Sequence, residues 1–139
     1  MKSAPALTAA AILLGACVST NASLIDPTVR LARTCPESIK LYTTPDRVGK
    51  PYREVALLNA KGESNWSDEE DMIESMRDKA AEIGANGIIL SGIDEPSALT
   101  KVIGQVAKTG SQRKGKALAI YVPSDSTNTT TACANVEKK

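Results

Sequence analysis

Three cysteines, at positions 17, 35 and 133, are the most reactive groups in this 139-residue chain, which contains no histidine. A thiol becomes a nucleophile where a neighbouring base or cation favours the thiolate, and imidazole is the usual base. No Cys-His pair can be assembled here. The same absence, with no two cysteines closely spaced, removes the common zinc and copper ligand sets. Four consecutive acids, Asp68-Glu69-Glu70-Asp71, carry oxygen ligands of the kind Ca²⁺ or Mg²⁺ takes. Consecutive residues on a helix point in different directions, however, and no calcium-loop spacing surrounds these four. They suit the first turn of a helix, where the backbone dipole favours negative charge. No phosphate loop, dinucleotide fingerprint or nucleophile elbow occurs. The expectation is a protein without catalytic residues, cofactor or metal.

Charge is unevenly spread along the chain. Residues 101 to 124 carry Lys101, Lys108, Arg113, Lys114 and Lys116 and no acid, whereas residues 63 to 95 carry ten acids against two bases. Arg113, Lys114 and Lys116 crowd a segment flanked by Gly and Ser that reads as an exposed loop. Such a loop offers contact with anionic lipid headgroups or an acidic partner; a solvated surface balanced within the fold is the alternative. The net charge of +1 provides no global field for nucleic acid, and none is expected as a partner.

The amino-terminal segment is more specific. Met1-Lys2 is positive, Ala6 to Leu14 is apolar apart from Thr8, and Gly15-Ala16 is small, which is the layout of an export signal. The apolar run is about half of the ~20 residues that span a bilayer. Leu14-Gly15-Ala16-Cys17 resembles the lipobox of bacterial lipoproteins. That resemblance implies a diacylglyceryl group on the Cys17 thiol and removal of residues 1–16, leaving Cys17 as a lipidated amino terminus. An ordinary signal peptide with a cysteine near its cleavage site is the other reading. Two or three acyl chains, at ~0.8 kcal/mol per buried methylene, hold a protein stably on a membrane. Val18-Ser19 stand where enteric lipoproteins kept at the inner membrane carry Asp, so the resemblance implies the periplasmic face of an outer membrane. In that oxidising compartment Cys35 and Cys133 are expected to form a disulfide.

The elements that would position these groups follow from periodicity. Residues 17–36 mix Ser, Thr, Asn and Pro and read as a flexible tether; residues 37–123 form the domain; residues 124–139 read as a disordered polar tail. Within the domain, Ser38 to Thr43 and Arg53 to Asn59 read as strands, the latter ending at a Lys61-Gly62 turn. Ser67 and Glu70 form a capping box, Met72, Ile73, Met76, Ala80 and Ile83 recur at helical spacing, and Gly84 ends the helix. Gly87 to Ser91 and Ala117 to Val122 read as buried strands, with a short helix or loop across residues 97–116. Trp66 reads as a packing residue. Phe is absent, so the core must be aliphatic. The expected class is α+β, a single domain ordered β-β-α-β-(helix or loop)-β with its helix on one face of a sheet.

Tyr42-Thr43-Thr44-Pro45, Val55-Ala56, Asn65-Trp66, Ala81-Glu82-Ile83-Gly84-Ala85-Asn86-Gly87-Ile88-Ile89-Leu90 and Ala119-Ile120-Tyr121-Val122-Pro123 together resemble a group of uncharacterised proteobacterial lipoproteins. More distantly, the Gly84-Ala85-Asn86 turn is similar to that of the Rcs envelope-stress lipoprotein and of the YbjQ-type small α+β domains. The similarity spans most of residues 39–123 and lies in structural motifs, so it transfers no catalytic residue. The expected function is that of a non-enzymatic, membrane-anchored envelope protein that works through contacts with an unidentified envelope protein, in assembly or stress sensing. A periplasmic module binding a small ligand or metal is the alternative.

Overall fold

The computed structural model describes residues 18–63, 68–94 and 112–136. Five strands form one mixed sheet: β1 (Ser19–Leu24), β2 (Lys40–Tyr42), β3 (Arg53–Glu63), β4 (Gly87–Asp94) and β5 (Gln112–Tyr121), in spatial order β1-β3-β5-β4-β2. All neighbours are antiparallel except β2 and β4. Among the described residues two helices complete the α+β fold, α1 (Glu69–Glu82) and α2 (Ser126–Val136). Because β5 is inserted between β3 and β4, those two strands run parallel and α1 connects them across one face, a split β-α-β unit.

Alternation along the strands divides the sheet into two unlike faces. On the first, Ala56, Leu58 and Ala60 of β3, Ala117 and Ala119 of β5 and Ile88 of β4 pack against Met72, Met76, Ala80 and Ala81 of α1. Small alanines on the strands let the helix approach closely, and the methionines fill the irregular gaps. Full burial of each Leu, Ile or Met side chain contributes about 1.5–3 kcal/mol. On the second face, Val48, Ile89, Ile120 and Val122 form a smaller cluster with Tyr42, Tyr52 and Leu118.

Helix α1 is capped one residue later than the Ser67 and Glu70 spacing predicts. Asp68 is the N-cap: its carboxylate accepts from the Asp71 N–H at 2.9 Å, and the Asp71 carboxylate accepts from the Asp68 N–H at 3.1 Å. The three-residue spacing is kept because the acidic run supplies two carboxylates at that interval. Ser67 and Trp66 lie outside the described residues.

Both flanks hold structure where the composition suggests none. The expected tether contains β1, in which Thr20, Ala22 and Leu24 share the register of Ala60, Leu58 and Ala56. Its Thr20 Oγ1 lies 2.7 Å from Ser75 Oγ on α1. Ser, Asn and Ala are poor strand formers, but pairing with β3 satisfies the backbone and overrides that preference. The expected disordered tail contains α2, whose Thr129, Thr130 and Thr131 hydroxyls donate to the carbonyls four residues earlier at 3.0–3.1 Å. It buries no residue of its own. The segment expected to be a helix or loop is strand from Gln112 onwards; its residues 97–111 lie outside the described residues.

Candidate functional site

Cys35 and Cys133 are joined in a disulfide with their Cα atoms 5.4 Å apart, 98 residues apart in sequence. The bridge holds α2 beside the short helical turn Pro36–Ser38, and the Cys35 N–H donates to Cys133 Sγ at 3.1 Å. A second attachment lies at the other end of α2. Asp125, buried at the turn before the helix, accepts from Lys40 Nζ at 2.9 Å and from Lys50 Nζ. Those hydrogen bonds, Lys50's first and Lys40's next, hold its carboxyl below the ordinary carboxylate range against the opposing effect of burial. The hydrogen bond to Asp125 likewise raises the Lys40 ammonium above its ordinary value. Both carboxylate oxygens are occupied, so the cluster is a structural tie.

The Gly84-Ala85-Asn86 turn is a second structural hub. Gly84 has φ +83°, and a Cβ there would meet the Leu31 side chain and stand 2.6 Å from the Ala32 carbonyl, so the close approach of the chain requires glycine. Asn86, buried, accepts from the Val122 N–H at 2.7 Å and donates to the Val122 carbonyl at 2.9 Å. Its backbone accepts from Lys40 N–H and donates to the Ile120 carbonyl. One side chain thus finishes the pairing of β5 where the strand ladder ends.

Arg113, Lys114 and Lys116 are in β5, not in a loop. The two-residue period sends Arg113 to the α1 face, where it is buried, and leaves Lys114 and Lys116 exposed on the other. The three residues therefore do not form one patch. Lys61, which a turn at Lys61-Gly62 conceals in the sequence, is registered opposite Lys114, and Asn59 opposite Lys116. Continuation of the β3 alternation through Lys61 and Glu63 is the signal that would have found it. Leu57, registered opposite Leu118, is 53% exposed on this same face. Glu63 stands at the end of this face beside Lys61. Cys17, Lys101 and Lys108 lie outside the described residues.

A cleft of about 410 Å³ opens beside the disulfide, lined by Leu31, Thr34, Gly84, Tyr121, Thr130 and Cys133 among others. It brings no pair of acid and base together. Among the described residues no three His, Cys, Asp or Glu side chains converge as a metal site, and no described helix is long and apolar enough to cross a membrane.

Comparison with known proteins adds to the fold alone. The chain is similar to the solved crystal structure of a Francisella virulence factor, FvfA, with a TM-score of 0.51 at 14% identity, over 73% of this chain and 96% of that one. No protein-family model and no curated protein matches it.

Proposed function

We propose that this chain is a lipid-anchored envelope protein, carried on the periplasmic face of an outer membrane by acyl chains on Cys17, which acts through contacts with other envelope proteins. The observation that carries the reading is the pairing of the cysteines. With Cys35 bridged to Cys133, Cys17 is the one cysteine of three left outside a disulfide, and it directly follows Leu14-Gly15-Ala16 at the end of an apolar run. A bridge spanning most of the chain also suits an exported protein, since thiols in a reducing cytosol stay reduced. The role in protein contacts is supported by what the described surface offers: an acidic helix face, with no assembled acid-base pair among the described residues.

The test is metabolic labelling with a palmitate analogue in cells making the wild type or Cys17→Ala. Label on the wild type and none on the variant, with the variant unprocessed or released from the membrane fraction, is the expected result. Unchanged fractionation of Cys17→Ala would overturn the anchor. Crosslinking of the lipidated protein in intact cells then tests the second half: an envelope protein captured by the wild type supports it, and recovery of the uncrosslinked monomer alone counts against it.

A further inference from the structure

We infer that the domain is seated directly on anionic lipid headgroups through the open face of its sheet, rather than held away from the bilayer on a tether; this deepens the anchoring reading and rests on it. The first observation is the length of chain between anchor and fold. Strand β1 begins at Ser19, two residues after Cys17, and two residues reach at most about 7 Å. Ser19 is registered opposite Lys61, which is opposite Lys114. An acylated Cys17 therefore brings the end of the sheet that carries Lys61 and Lys114 to the membrane surface.

The second observation decides which face turns inward. Helix α1, on one side, carries Glu69, Glu70, Asp71, Glu74, Asp78 and Glu82 against Arg77 and Lys79. An anionic surface repels that side. The other side exposes Lys61, Lys114 and Lys116, with the acid Glu63 at the end of β3. Farther along it, where the Val48, Ile89, Ile120 and Val122 cluster covers the sheet, Leu57 stays 53% exposed at the border of the lysine-bearing half. Lysines whose stems lie along an apolar surface while their ammonium groups meet phosphates suit a headgroup layer. The acidic helix then faces the aqueous compartment, where it is available to a protein partner.

The experiment is amine footprinting of the full lipidated protein by mass spectrometry, in vesicles of phosphatidylcholine alone and of phosphatidylcholine with phosphatidylglycerol. Lys79, on α1, is the internal reference. On the anionic vesicles Lys61, Lys114 and Lys116 are expected to react about fivefold more slowly than on neutral vesicles, the equilibrium factor for one lysine near an anionic surface. High salt should restore their reactivity, because exposed charges are screened beyond roughly 8 Å already at physiological ionic strength. Equal reactivity of the three lysines on both vesicles overturns the seating. The mass of the amino-terminal peptide reports the anchor separately: an unmodified Cys17 sinks the anchoring reading, whereas an acylated Cys17 with unprotected lysines sinks only the seating.

Discussion

Asn86 shows how one side chain can hold two chain segments that are remote in sequence. Its carboxamide satisfies both backbone groups of Val122 inside the fold, where neither can turn to water. Replacement by alanine leaves a buried donor and a buried acceptor unsatisfied, at about 1–3 kcal/mol each, so Asn86→Ala is expected to destabilise by about 3 kcal/mol in urea unfolding. A loss below about 1 kcal/mol would mean that water replaces the amide. Asp125 makes a different prediction, one that depends on pH. Its carboxyl is held below the ordinary 3.8 by its lysine partners, so the native state binds fewer protons than the unfolded chain. The resulting stability is fully present above the ordinary carboxylate range and is lost as pH falls below about 4 through the lowered folded value. Asp125→Asn should cost about 1 kcal/mol at neutral pH, reduced by the half-exposure of both lysines. It should also shrink the gap to wild type as the pH is lowered. A gap that stays constant from neutral pH to pH ~2 would assign the acid sensitivity to other carboxylates.

Helix α2 is an element the sequence conceals. Its Thr-rich run has weak helix propensity, and with 11 residues it is shorter than the ~12–15 at which isolated helices become even marginal in water. Its order is imposed at two ends, by Asp125 before its first turn and by Cys133 in its last. Reduction of the disulfide is therefore expected to release the amides of residues 126–136 to fast hydrogen exchange while α1 and β5 stay protected. Unchanged protection of α2 in the reduced protein would show that Asp125 and local packing suffice. By contrast, α1 is legible because several signals agree: an acidic first turn, apolar residues at helical spacing and a glycine stop. Strands β3 and β5 are legible only in their apolar halves. Their polar halves alternate just as regularly, but Lys-Gly and Arg-Lys-Gly look like turns until pairing with one another satisfies the backbone, and that pairing is not local. The open-face lysines were half visible for this reason: charge density marked Arg113, Lys114 and Lys116, whereas the strand period that removes Arg113 and adds Lys61 emerged only with the register.

At the scale of the whole molecule, the described flanks β1 and α2 are drawn onto the domain, and the Cys35–Cys133 bridge closes most of the chain into one loop. The core within that loop is modest. Its largest fully buried side chains are Leu58, Met72, Met76, Ile88, Ile120 and Val122, and no phenylalanine contributes. Domains of this size have ~5–15 kcal/mol of stability, so a cross-link worth several kcal/mol is a large part of the total. With the cysteines separated by 98 positions, the chain-entropy account assigns the bridge up to ~4.7 kcal/mol, acting mainly by restricting the unfolded chain. Two contributions oppose this in the native state. Fraying of α2 gives back entropy when the bridge is cut, and α2 takes no core residue with it, so the fold can survive reduction. Cys35→Ser with Cys133→Ser is expected to remain folded at neutral pH but to lose about 2–4 kcal/mol, read as a lower urea midpoint at nearly unchanged slope. An unfolding free energy within about 0.5 kcal/mol of the oxidised wild type would show that the bridge serves α2 alone and leaves the stability of the sheet untouched.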